Sequence, residues 1–199
     1  MTARRRCTGA ILAGGRATRM GGTPKGLATV GGRRIIDRVA SALADAADEL
    51  LVVSNDASAD AWLAGVRAVA DVRPGAGALS GLHAALHHAG TDLMVVAWDA
   101  PFTSTALLDA LRDAGEFEDA GAAVPRSAAR SGFEPLCAWY AASCLDPVTR
   151  AIDEGRFHAG GWQRAVRLLE LDPSPFGDPA TIFFNVNTPD DLVRAERLA

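Results

Sequence analysis

Two glycine pairs, Gly14-Gly15 and Gly21-Gly22, bracket Arg19 and are followed by Lys25 in the stretch TGAILAGGRATRMGGTPKGL (8–27). Residues of these types at this spacing suit an anion. Glycine lets backbone N–H groups approach a phosphate without an intervening Cβ, and fixed cations add charge that dipoles cannot supply. Neither G-x-x-x-x-G-K-[ST] nor G-x-G-x-x-G can be laid on the segment, which weakens the case for a P-loop ATPase or a dinucleotide-dependent dehydrogenase. A second candidate is Asp99, in Trp98-Asp99-Ala100-Pro101 directly after an apolar run. A carboxylate so placed can hold Mg²⁺ through one oxygen while water and phosphate oxygens fill the other positions. On position alone, a turn-forming aspartate fits as well.

The elements that must position these groups can be read in order. The apolar run Ala10, Ile11, Leu12 breaks at Ala13 and predicts a buried strand feeding the glycine loop. Residues 27–30 read as a short extended piece. Ile35, Ile36, Val39, Leu43 and Ala47 recur at helical spacing. Apolar runs at 50–53, 66–70 and 93–97 predict further strands, ending at Asn55, Asp71 and Asp99. Between them, VRPGAGALSGL forms a second glycine-rich loop before a helix with Leu82, Ala85, Leu86 and Ala89; Leu107, Leu108 and Leu111 mark another. Strands alternating with helices indicate an α/β, doubly wound, mostly parallel sheet with helices on both faces. Right-handed connections then bring Ala13, Asn55, Asp71 and Asp99 to one edge, where open α/β sheets bind ligands.

In the second half, 122–125 and 134–140 read as extended, 143–154 and 163–169 as helical, 155–161 as a glycine-rich loop and 172–179 as a proline-rich loop. The end, FFNVNTPDDLVRAERL, predicts a strand, a turn at Asn187-Thr188 and a helix starting at Pro189, with Asp190 and Asp191 in its first turn.

With 199 residues, one domain spanning 1–199 is expected. A net charge of −4 argues against a general nucleic-acid binder, though local cations still permit a nucleotide. No stretch approaches the about 20 apolar residues of a membrane span. Arg4-Arg5-Arg6 precedes an apolar run too short for a secretion signal and reads as a charged tail entering the first strand. Cys7, Cys137 and Cys144 are odd in number and lack zinc spacing, which fits a reduced, cytoplasmic setting. His83, His87 and His88 share one predicted helix without the carboxylate of H-E-x-x-H and read as surface or packing residues. No serine elbow or activated cysteine calls for covalent catalysis.

The string L-A-G-G-x-x-x-R-M-G-G-x-x-K-G-L resembles the nucleotide-binding signature of molybdenum cofactor guanylyltransferases, the MobA-like nucleotidyltransferases. The resemblance implies a three-layer, Rossmann-like fold of the nucleotide-diphospho-sugar transferase type. It implies nucleotide contacts from Leu12, Ala13, Gly14, Gly15, Lys25, Asn55, Asp71 and Asp99, with Lys25, Arg19 and Asp99 catalytic and Asp99 on Mg²⁺. An amide and a carboxylate at Asn55 and Asp71 suit the ring N–H and ribose hydroxyl groups of GTP. The W-D-A-P sequence matches a family C-D-x-P type, with Trp98 replacing a small residue. Ala78 replaces a proline in the loop resembling G-P-L-A-G, and Pro24 stands where an acidic residue is common. Asn185-Val186-Asn187-Thr188-Pro189 matches N-I-N-T-P, which implies that either Asn185 or Asn187 approaches the metal or the second substrate, the competing reading being a turn with an Asx-type hydrogen bond. The resemblance also implies that the segments around Glu134-Pro135-Leu136 and Gly155-Arg156 border the acceptor, with Arg156 as its phosphate partner.

The implied reaction joins GMP from GTP to the phosphate of Mo-molybdopterin and releases pyrophosphate. Molybdenum-insertion and molybdoenzyme-maturation proteins are the partners this pathway implies. A transferase using CTP or another phosphorylated acceptor, and a nucleotide-binding module without turnover, are the competing readings.

Overall fold

The computed structural model describes residues 4–14, 19–20, 23–157 and 162–199. Its sheet is built from β1 (Cys7–Leu12), β2 (Glu49–Val53), β3 (Arg67–Val69), β4 (Asp92–Ala97), β5 (Ala122–Pro125), β6 (Cys137–Tyr140) and β7 (Leu168–Leu171). The spatial order is β7-β5-β6-β4-β1-β2-β3. Strand β1 pairs in parallel with both β2 and β4, placing Ile11 opposite Val52 and Val96. Strand β6 runs antiparallel to β4 and β5, and the other pairings of this seven-stranded sheet are parallel.

Side chains alternate across the strands and divide the core into two layers. Ile11, Val52, Met94 and Val96 pack on one face with α1 (Ile35–Ala46) and α3 (Thr105–Phe117). Ala10, Leu12, Leu51, Val53, Leu93 and Val95 pack on the other with α2 (Ala78–Ala89) and α4 (Leu145–Asp153). Helix α1 shows why the periodicity is informative: Ile35, Ile36, Val39 and Leu43 are fully buried. Each such side chain contributes about 1.5–3 kcal/mol relative to exposure. The predicted Ala47 falls one residue beyond the helix end.

The basic tail is clasped rather than free. Arg4 pairs with Asp109 and Asp113, Arg5 pairs with Asp92 and Asp119, and Arg6 with Glu49. Buried Arg112 completes this end of the sheet by donating to the carbonyls of Ala46 and Arg5 and to Asp48 and Glu116.

Several local expectations are corrected by tertiary context. Residues 163–169 were expected as a helix; instead a 3-10 turn, Gln163–Ala165, leads into β7. The Gly121 amide donates to the Arg167 carbonyl, and a Cβ on Gly121 would lie 2.6 Å from Val166 Cβ. That close approach pulls the chain out of helical geometry and onto the sheet edge. The expected strand before Asn187 is irregular, following α5 (Pro179–Ile182) and joined to the site by the Val186 amide on the Asp99 carbonyl at 2.9 Å. Phe183, Phe184 and Val186 are apolar because they pack on the core, with no strand partner. Residues 134–140 contribute a strand only from Cys137, and the 27–30 piece pairs only at Thr29–Val30, with Arg33–Arg34. The 172–179 loop contains a 3-10 turn, Ser174–Phe176, and reaches into α5 at Pro179.

The predicted final helix is α6 (Pro189–Leu198), with Pro189 in its first turn. Thr188 and Asp191 cap it reciprocally, and Asp191 also accepts from the Asn187 amide at 3.1 Å. Those hydrogen bonds hold the Asp191 carboxyl below its usual range, led by the Thr188 hydroxyl.

Candidate active site

Three segments distant in sequence meet beyond the carboxyl ends of β1 and β4. The first is a 3-10 turn, Lys25–Leu27, entered from Pro24 at φ −57° and closed by the Ala28 amide on the Lys25 carbonyl at 3.0 Å. Gly26 allows it to settle on the indole of Trp98. Trp98 is 2% exposed and stacks on Trp62, with ring centroids 5.2 Å apart and 21° between planes. The Trp62 indole N–H in turn donates to Ser58 Oγ at 3.1 Å. Trp98 thus serves as the floor under the lysine turn.

The second segment presents Asp99 and the third Asn187. Lys25 Nζ lies 2.6 Å from Asn187 Oδ1 and 3.4 Å from Asp99 Oδ2. Lys25 is 7% exposed as a residue, and the Asp99 side chain 16%. Burial raises the Asp99 pKa above the usual carboxylate range, and the Lys25 ammonium only partly offsets this. The capping box of α6 holds the Asn187 backbone and so aims its amide at the lysine.

Two cavities share this junction. One, of about 690 Å³, is bordered by Leu12, Gly14, Asn55, Asp71, Gly77, Ser80 and Asp99. The other, of about 280 Å³, is bordered by Asp99, Glu134, Cys137, Asn185 and Asn187. Asp99, Ala97 and Leu136 belong to both. The larger cavity receives the N-terminus of α2, which Gly77 enters at φ +62° without a side-chain cap. The Leu79 and Ser80 amides already bond to the Ala76 and Gly77 carbonyls, at 3.3 and 3.1 Å, so what this helix start offers an anion is chiefly its positive dipole end. A shallower depression of about 830 Å³ at the opposite end of the sheet, around Arg4 and Phe117, holds none of the expected site residues.

The expected strand-end residues therefore converge. Asn55 and Asp71 brace each other: Asn55 Nδ2 donates to Asp71 Oδ2 at 2.8 Å and the Asp71 amide donates to Asn55 Oδ1 at 2.9 Å. The Ala13 amide is already given to the Val53 carbonyl at 2.9 Å, and the Leu12 carbonyl accepts from Trp98 at 3.2 Å. Gly14 consequently carries the backbone edge that faces the cavity. Gly15, Gly21 and Gly22 lie outside the described residues; Arg19 is described only in its backbone, which pairs with Pro24. Asn185 and Asn187 border the smaller cavity. Arg156 borders neither and pairs with Glu154 at 2.6 Å. His83 is buried on α2, outside both cavities, and burial lowers its pKa.

Sequence reasoning did not find that Asn187 contacts Lys25 or that Gly26 rests on Trp98. One signal was available: Lys25 is the only lysine among 20 basic residues, all the others being arginine. Among the described residues, no group of three or more His, Cys, Asp or Glu is placed to hold a metal, and no helix is long and apolar enough to cross a membrane.

Comparison with known proteins agrees with this geometry. Residues 9–170 match the model of the MobA-like NTP transferase domain. A probable molybdenum cofactor guanylyltransferase from Pelotomaculum thermopropionicum is 36% identical over 196 residues, covering 96% of this chain and 93% of that protein. A molybdenum cofactor guanylyltransferase from Cupriavidus metallidurans is 36% identical over 197 residues, covering 96% and 95%. The crystal structure of molybdopterin-guanine dinucleotide biosynthesis protein A from Archaeoglobus fulgidus superposes with a TM-score of 0.79 at 29% identity, covering 96% of this chain and 97% of that one. With a nucleotide-sized cavity, a buried Lys25–Asp99–Asn187 junction and this similarity along nearly its whole length, the chain belongs to the MobA-like NTP transferase family.

Proposed function

We propose that this protein is a molybdenum cofactor guanylyltransferase, transferring GMP from GTP to Mo-molybdopterin with release of pyrophosphate. The observation that carries the reading is the shared wall of the two cavities: Asp99 borders both, and Lys25 stands beside it. A donor in the larger cavity and an acceptor in the smaller would meet at that wall. The proposal treats 1–199 as one domain, its N-terminal half binding nucleotide and its C-terminal half binding acceptor. Three buried free thiols support a reducing, cytoplasmic location.

The donor set fits Mg²⁺. Asp99 supplies a carboxylate oxygen and Asn187 an amide oxygen, and an ion of this type takes few protein ligands and completes its shell with water and phosphate. When bound, Mg²⁺ would neutralise charge on the triphosphate. Lys25, which borders neither cavity itself but contacts Asp99, is assigned to the same phosphates as a compact cation, while the N-terminus of α2 and Gly14 offer backbone dipoles. Arg19, on the preceding loop, is assigned to the phosphates as well. Asn55 and Asp71 orient the nucleoside. A phosphate oxygen of the acceptor attacks the α-phosphorus as the α–β bridging bond breaks, and pyrophosphate leaves. The nucleophile is already anionic, so no general base is required.

In the acceptor cavity, Asn185, Asn187 and Glu134 are the polar contacts assigned to the pterin; Arg156 is assigned only to the outer approach. Molybdenum-insertion and molybdoenzyme-maturation proteins are the assigned partners, delivering acceptor and receiving product. Titration calorimetry with GTP and CTP, with and without Mg²⁺, tests the donor, and pyrophosphate release on adding Mo-molybdopterin tests the reaction. Tighter binding of GTP and release only with the pterin are expected. Preference for CTP would overturn the base assignment, and absence of release would favour a binding module.

A further inference from the structure

The Lys25 ammonium group occupies a position defined by two oxygens from opposite parts of the chain, Asn187 Oδ1 at 2.6 Å and Asp99 Oδ2 at 3.4 Å. An ammonium only donates, so the Asn187 amide must present its oxygen. One anionic and one neutral oxygen converging on a single point form a partial shell for a hard cation. The same two oxygens cannot fully serve both an ammonium and a divalent ion.

Burial explains why a cation is needed there before any ligand arrives. The Asp99 side chain is largely withdrawn from water, and an uncompensated carboxylate in that setting is strongly disfavoured. Lysine suits the task better than arginine. Its charge is a compact point on a flexible stem, whereas a planar guanidinium needs a broader set of acceptors. In a chain whose other basic residues are all arginine, lysine stands at this one position. The backbone beneath it is fixed by Gly26 on Trp98, so displacement is confined to the side chain. Asp99, whose Oδ2 lies 3.4 Å from the ammonium, itself borders the larger cavity, so a nucleotide there would come within reach of the displaced side chain.

We propose that Lys25 is a stand-in cation, neutralising Asp99 and Asn187 in the resting protein and yielding both oxygens to the divalent ion. Its charge then passes to the phosphates of the nucleotide. The inference rests on the reading of Asp99 and Asn187 as the metal's protein ligands. It makes the metal alone a weak ligand, because it must displace Lys25 without offering the ammonium a new partner. Metal arriving with a triphosphate supplies that partner, so the two bind with positive coupling.

The test uses Mn²⁺ alone, with no nucleotide, on wild type, Lys25→Met and Asp99→Asn, free Mn²⁺ being read by electron paramagnetic resonance. Lys25→Met is expected to bind at least about fivefold more tightly than wild type, the lower end of ordinary two-ligand coupling. Relief of simple charge repulsion would produce the same sign, so a second measurement follows the lysine itself in the wild-type protein. Because the chain has one lysine, acetylation by acetic anhydride, mapped by peptide mass spectrometry, reports Lys25 directly. Saturating Mn²⁺ is expected to accelerate its acetylation. Equal or weaker Mn²⁺ binding by a folded Lys25→Met variant, or acetylation that is unchanged or slowed, overturns the proposal, and the labelling needs no variant to fold. If wild type binds Mn²⁺ and Asp99→Asn does not, such a negative result removes only the stand-in role. If Mn²⁺ binds to neither wild type nor Lys25→Met, the metal-ligand reading falls with it.

Discussion

Gly26 lies so close to Trp98 that a Cβ on the glycine would fall 2.4 Å from Trp98 Cε3. The contact couples the turn that carries Lys25 to the strand end that carries Asp99. A large side chain is therefore matched to a neighbouring residue with no side chain at all.

Gly26→Ala is expected to destabilise the protein by about 1–3 kcal/mol, the usual cost of overpacking a filled core. Trp98→Phe removes Cε3, the nearest of the ring atoms that the methyl group would meet, so Gly26→Ala should cost less in that background. The four proteins compared by urea unfolding form a double-mutant cycle, with an expected coupling of about 0.5–3 kcal/mol. Additive effects would mean that the two residues do not meet.

Asp99→Asn keeps the shape but removes the charge beside Lys25. Turnover should fall about 10²–10³-fold, the scale for loss of one electrostatic group at a reacting centre. Steady-state rates across a Mg²⁺ series check this. An unchanged rate with unchanged metal dependence would exclude Asp99 from the chemistry.

Arg112 offers a contrasting prediction. Its side chain is 2% exposed and binds four partners at the end of the sheet remote from the cavities. Arg112→Ala leaves the buried Ala46 carbonyl and the largely buried Glu116 carboxylate without this partner and should cost about 3 kcal/mol in stability. Nucleotide affinity of the folded fraction, read by calorimetry below the melting temperature, should remain that of wild type.

Burial pushes the thiols of Cys7, Cys137 and Cys144 up to about 12 from 9.0. At pH 8 a disulfide reagent should label them slowly in the native protein and rapidly after unfolding. The sign of the pH effect follows from proton counts: above pH 9 the unfolded chain loses thiol protons that the native chain keeps. Stability from these groups is present below pH 9 and falls as pH rises toward 12, by about 1.4 kcal/mol per pH unit for each thiol. Urea melts between pH 8 and 11 check the slope.

Glu134 and Asp99 both border the smaller cavity, the one proposed for the acceptor. Glu134→Gln is expected to raise KM for the pterin several-fold and leave KM for GTP unchanged. A change confined to GTP would reassign the smaller cavity.

What the sequence by itself determined was local. Apolar runs ending at Ala13, Asn55, Asp71 and Asp99 were legible because parallel strands are buried on both faces and their ends are marked by polar residues. The stripe of α1 and the start of α6 at Pro189 followed from periodicity and capping chemistry, both set within a few residues. The tertiary structure alone decided what depended on distant neighbours. Residues 163–169 lost their helix because Gly121 lets Val166 come close, and the segment before Asn187 found no strand partner. Lys25 meets Asn187 across 162 positions of sequence. No local pattern encodes such a contact, since it is fixed by where the sheet, the turn on Trp98 and the cap of α6 place two side chains in space.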